Sequence, residues 1–149
     1  MTVNSDNDVY TILDTGASDI FISTLFFDSF VDELFKSVVA NYRVKNGTVL
    51  ATCQRSYPNI YFLLQGLLVQ IPAEDYMVDD SEAQDGQVCR FKFRPIDAPF
   101  NILGMPAFLG YYVTFDWEQN FVSFVAHSDS LKPNPSFTTM PTKYFATTI

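Results

Sequence analysis

Leu13-Asp14-Thr15-Gly16-Ala17-Ser18 is the stretch on which the reading of this chain turns. It closes an apolar, β-branched segment at 9–14 and precedes a second at 19–23, so both flanks read as short strands. A carboxylate at such a junction has Gly16 beside it, which allows close backbone approach, and hydroxyls and amides that can orient both its oxygens. That placement suits a general base. Taken alone, however, an Asp-Thr-Gly triplet is better read as a plain Asx-type turn.

Outward from the triplet, the periodicity changes. Between 25 and 39, Phe27, Phe30, Val31, Leu34, Phe35 and Val38 keep the three-four spacing of an amphipathic helix, with Asp28, Asp32 and Glu33 off the stripe. Ser23 or Thr24 is the expected cap. Lys45-Asn46-Gly47 reads as a turn, and beyond it the pattern is β-rich. Segments 60–64 and 67–71 flank Gln65-Gly66 and predict a hairpin. The acidic stretch 79–86 reads as an exposed loop, and strands resume at 88–93 and 100–103. Gly104-Met105-Pro106 is expected to break the chain. A further hairpin joins 111–115 to 121–125, and from Ser128 onward the Pro, Ser and Thr content predicts a polar tail, 128–149, that need not pack. The fold class is therefore all-β with one to three short helices.

Composition narrows the function. The chain has 149 residues, 17 Asp plus Glu, 9 Lys plus Arg and a formal charge of −8, with no run of basic residues. A polyanion would be repelled, so nucleic acid is not an expected partner. No apolar run is long enough to span a bilayer, and residues 1–8 lack the basic and apolar regions of a secretory signal.

What lifts the triplet above a turn is the order of the pieces around it. Ile102-Leu103-Gly104, a hydrophobic-hydrophobic-Gly element, ends 90 positions after Asp14. Between them stand the helix, Cys53, Tyr57-Pro58-Asn59-Ile60-Tyr61-Phe62, Ile71-Pro72 with Tyr76, and Cys89; after them come Phe108-Leu109-Gly110-Tyr111-Tyr112 and Phe115-Asp116. In this order the chain resembles the pepsin-like aspartic proteases, specifically their C-terminal lobe, over about residues 9–126. The resemblance implies one lobe of a two-lobed fold, 1–127, lacking its first strands, and an aspartic endopeptidase that needs no cofactor or metal.

The resemblance also implies roles. Asp14 would be this lobe's catalytic carboxylate, sharing a proton with a second Asp from the other lobe, because two like charges in contact do not both ionise readily. Thr15 would join the network bracing the two active-site loops, Gly16 would let an amide reach the carboxylate, and Ser18 matches the motif's hydroxyl. Ala17 stands at a substrate-facing position where the family often has a hydroxyl. Ile102, Leu103 and Gly104 would support the loop from behind; Met105 stands where an acid often follows. Cys53 and Cys89 would form the lobe's disulfide, placing the complete protein in a secreted or lysosomal/vacuolar setting; two free buried thiols are the alternative. Such a link stabilises by roughly 3–4 kcal/mol in the chain-entropy model.

Only one Asp-Thr-Gly is present, so a missing N-terminal lobe or a second chain is an expected partner besides the peptide substrate. Two other readings stay open: a homodimeric retropepsin-like protease with Asp14 from each chain, and a non-catalytic lobe that binds peptides or partners. His127 reads as a surface residue. The Asn46-Gly47-Thr48 sequon is accounted for by turn chemistry as readily as by glycosylation, and the acids at 79–85 lack the spacing of a calcium loop.

Overall fold

A computed structural model describes residues 9–38, 40–53, 56–79, 88–130, 132–137 and 145–147. Strands β1 (Tyr10–Leu13) and β2 (Ile20–Ser23) bracket the Asp14 loop and lead into helix α1 (Phe27–Ser37). There follow β3 (Tyr42–Lys45), β4 (Thr48–Thr52), β5 (Ile60–Leu64), β6 (Leu67–Ile71), the single turn α2 (Ala73–Tyr76) and β7 (Met77–Asp79). The chain continues through β8 (Val88–Phe91), β9 (Phe93–Ile96), β10 (Phe100–Leu103), α3 (Met105–Phe108), β11 (Tyr111–Asp116) and β12 (Phe121–Ala126). Two short pairings close it, β13 (Ser136–Phe137) and β14 (Phe145–Thr147). The protein is mostly β, as its alternating and turn-punctuated sequence predicts.

The sheet that carries the site has the order β1-β10-β2-β9. β1 runs parallel to β10, with Leu13 opposite Leu103, and β2 packs antiparallel on the other side of β10, with Phe21 opposite Ile102. The chain thus threads two strands that flank a third arriving about ninety residues later. A second sheet, β3-β4-β8-β7, and a third, β13-β6-β5-β14, lie beyond it, and β11 pairs with β12 alone among the described residues.

The helical periodicity is realised: Phe27, Phe30, Val31, Leu34 and Phe35 are buried. Their rings join a chain of aromatic contacts through Phe35–Phe91 (5.1 Å), Tyr57–Phe91 (4.9 Å), Tyr76–Phe93 (5.0 Å) and Phe30–Phe93 (5.0 Å). Tyr76 is fully buried, its hydroxyl donates to the Pro58 carbonyl at 2.6 Å, and burial pushes its pKa up.

Several expectations need correction. Neither Ser23 nor Thr24 caps α1; the cap is Phe26, with no side-chain bond. Ser23 Oγ instead donates to the Ala98 carbonyl at 2.7 Å, bracing the β9–β10 turn. The strand predicted at 88–93 is two strands split at Lys92, where the chain changes sheets. The Lys92 amide donates to Tyr76 O (2.7 Å), and its carbonyl accepts the Ile20 amide (2.8 Å), so this residue bridges elements a continuous strand could not reach. Gly104-Met105-Pro106 opens α3 rather than breaking the chain, since proline is tolerated in the first helical turn. Asp79 ends β7 instead of starting a loop; the rest of the acidic stretch, 80–86, lies outside the described residues.

The hairpin turn at Gln65-Gly66 forms as read, with both residues at positive φ (47° and 87°). Cys53 and Cys89 are joined by a disulfide with a Cα–Cα distance of 5.0 Å, linking the end of β4 to β8. In the segment expected to be a polar tail, Lys132 is buried. Its ammonium lies 2.6 Å from Asp75 Oδ2, donates to the Leu109 carbonyl and sits 4.7 Å over the Tyr111 ring. β13 pairs with β6, and β14 with β5.

Candidate active site

β1 delivers Asp14 to the end of the site sheet, and hydrogen bonds fix the loop that follows. The Asp14 amide donates to Leu103 O (3.0 Å), extending the β1–β10 ladder by one residue. Asp14 Oδ1 accepts the Gly16 amide at 2.8 Å, and Asp14 O accepts the Ala17 amide at 3.2 Å, so the triplet does form the Asx-type turn its composition allows. Ala17 O in turn accepts the Met105 amide at 2.8 Å. Side chain, loop and β10 are thereby tied into one unit.

Gly104 shows how closely the unit is packed. A Cβ there would lie 2.2 Å from Asp19 O and 2.5 Å from Ala17 O, so the Asp loop rests directly on residue 104. Leu103 is fully buried beneath it and Ile102 is half-buried. Asp14, Thr15, Gly16 and Ser18 are exposed and Ala17 is half-buried, so the carboxylate is presented to solvent from a rigid base. The structure brings together Asp14, Gly16, Ala17, Leu103 and Gly104. Thr15 and Ser18 lie on the same loop, but their side chains make no hydrogen bond among the described residues.

Two residues missed by sequence reasoning support this arrangement. Asp19, five positions after Asp14, is only 3% exposed, and both its carboxylate oxygens face Arg90 Nη1 (3.3 and 3.5 Å). Asn101, also buried, accepts the Ser23 amide at 3.0 Å through Oδ1 and so locks β10 to β2. The available signal was an acid and an amide placed inside otherwise apolar strand segments, where burial demands a partner.

Other candidates stand apart. Cys53, Cys89 and Asp79 are the metal-type donors that cluster among the described residues, but both sulfurs are used in the disulfide, leaving no thiolate to offer. His127 follows β12; its Nδ1 accepts the Asp129 amide at 3.1 Å and its ring lies against Tyr112. Asn46 is exposed in the β3–β4 turn at φ 51°.

One carboxylate on a rigid loop can accept a proton or donate one, but cannot do both at once. That pairing of roles is the chemistry of the family found by comparison: a model of the eukaryotic aspartyl proteases matches residues 1–127. The chain belongs to the eukaryotic aspartyl protease family. Its fold is that of a pepsin-like lobe, and the family assigns it to the hydrolases that cut peptide bonds. No curated protein matches the chain. No helix among the described residues is long and apolar enough to cross a membrane.

Proposed function

We propose that this aspartyl protease chain is a C-terminal lobe whose Asp14 is one half of a water-activating dyad in an endopeptidase, the other carboxylate coming from an N-terminal lobe. The observation that carries this reading is the seating of the Asp14 loop on Gly104, which, with the Gly16 amide on Asp14 Oδ1, holds an exposed carboxylate in one place. In the proposed reaction the ionised member of the dyad takes a proton from water as the oxygen attacks the scissile carbonyl carbon. The protonated member gives its proton to the carbonyl oxygen; the tetrahedral diol then collapses as the first carboxyl passes its new proton to the amide nitrogen, the second takes back a hydroxyl proton, and the C–N bond breaks. Thr15 would brace this loop against its counterpart, which accounts for a hydroxyl with no hydrogen-bond partner among the described residues. Ala17 and Ser18 would line the substrate strand, Ala17 without a hydrogen bond to offer. The Cys53–Cys89 disulfide supports a secreted or lysosomal setting.

Asp14→Asn in the full-length protease should reduce peptide cleavage at acid pH by about a thousandfold or more, since removing one member of a catalytic unit disables the whole. Cleavage unchanged in that variant would remove Asp14 from the mechanism. The chain alone should be inactive and monomeric by sedimentation. Activity rising with the square of its concentration would instead establish a homodimer contributing Asp14 twice.

A further inference from the structure

The linear sequence contains no run of adjacent basic residues, but the fold brings two basic stretches together. In the β3-β4-β8-β7 sheet Arg43 stands opposite Leu50, Leu50 opposite Arg90, and Arg90 opposite Val78, a single row across four strands. Lys45, two residues along β3 from Arg43 and opposite Thr48, shares that face by strand alternation. Arg94 of β9 reaches the same face, its Nη2 3.4 Å from Thr48 Oγ1. The opposite face carries Val49, Ala51, Cys89 and Phe91 into the core. So four of the nine basic residues of a chain with net charge −8 gather at one face, three on this sheet and Arg94 on the adjoining β9.

Asp19 neutralises Arg90. Arg43, Lys45 and Arg94 have no carboxylate within ion-pair distance among the described residues. Leu50 beneath the row is buried, and beside Arg43 a shallow hollow of about 230 Å³ opens, lined also by Asn41, Thr52 and Val88. An anionic protein that gathers cations on one face creates a local field opposite in sign to the rest of its surface.

We propose that this face binds acidic polypeptide, and that in the protease it is an exosite for substrate segments bearing Asp or Glu beyond the scissile bond. This extends the aspartic protease reading, because Asp19 joins the face to the Asp14 loop: it is five residues from Asp14, rests by its carbonyl on Gly104 and holds Arg90 by its carboxylate. An acidic peptide complements both elements of the surface, carboxylates for Arg43, Lys45 and Arg94 and aliphatic carbons for the hollow at Val88. A nucleic acid matches only the charge, and the remaining negative charge of the chain opposes it.

Binding is measured without turnover by placing Asp14→Asn in the full protein. The probe is a fluorescein-labelled Glu-Glu-Leu-Glu-Glu peptide, with its Gln-Gln-Leu-Gln-Gln counterpart, followed by anisotropy at neutral pH and low salt. The glutamate peptide should bind at least tenfold tighter than the glutamine one and weaken as salt is raised. Arg43→Gln/Lys45→Gln/Arg94→Gln should lose that tenfold preference with an unchanged circular dichroism spectrum, and so should the exposed single reversal Lys45→Glu in part. Lys36→Gln on α1 should leave it intact. Equal affinity for the two peptides, indifference to the triple substitution, or tighter binding of an oligothymidylate than of the glutamate peptide would each overturn the proposal. Failure of cleavage with binding retained would count against the catalytic reading alone; cleavage of a neutral substrate with no peptide preference would count against the exosite alone.

Discussion

At Gly104 a methyl group would press into two carbonyl oxygens, those of Asp19 and Ala17, and neither belongs to a side chain able to swing aside. Gly104→Ala should therefore push the Asp14 loop outward, costing about 2–3 kcal/mol of stability and, through misplacement of the carboxylate by a fraction of an ångström, about a hundredfold in kcat/KM of the full-length protease. A thermal melt and a peptide assay measure the two effects separately. Arg90→Leu would strand the buried carboxylate of Asp19. The expected cost is about 2 kcal/mol, less than for a wholly buried pair because water reaches the guanidinium, and Asp19→Asn in the same protein should recover part of it in a denaturant titration. Both residues were readable as types, a glycine ending a hydrophobic triplet and an acid at the head of a strand. Their reasons were not, because Gly104 answers to carbonyls more than eighty positions earlier and Asp19 to an arginine 71 positions later.

The elements legible from sequence were those specified locally. α1 declared itself by a three-four apolar stripe, and the β5–β6 and β11–β12 hairpins by their turns and flanking strands. β3, β7 and α2 are three or four residues long and exist because neighbours hold them, so no local pattern marked them. The same holds for the division of β8 from β9, which depends on Tyr76 and Ile20 claiming the two sides of Lys92. One of these unannounced strands makes a testable link to α1: the Tyr42 hydroxyl donates to Asp32 Oδ1 at 2.5 Å. That bond, with desolvation and the nearby charges of Asp32 and Asp28, raises the Tyr42 pKa to about 12. A folded-state pKa above the unfolded value of about 10 means the contribution is fully present below pH 10 and is lost as pH rises through 12. Urea midpoints measured from pH 9 to 12 should fall over that window, and Tyr42→Phe should flatten the fall.

Over the whole molecule, a reading of residue order identified the family and the lobe-like architecture, whereas surface character emerged only from folding. Arg43 with Lys45 and Arg90 with Arg94 lie in two stretches far apart along an acidic chain, and become neighbours through the β3–β4–β8 register and the Arg94–Thr48 bond. Likewise the segment beyond His127 is polar by composition, yet it supplies the ammonium that meets Asp75 beneath Leu109 and Tyr111. The family match stops at residue 127, five positions short of that ammonium. A protein trimmed at the match boundary would keep the entire Asp14 loop while abandoning a carboxylate among α2, α3 and β11. Such a trimmed form should unfold some 3 kcal/mol more easily in urea than the 149-residue chain, and adding Asp75→Asn to it should restore part of the difference. Any processing enzyme that clips between 127 and 132 would then act as a timer on the lobe's lifetime, leaving its chemistry untouched while loosening the body that holds it.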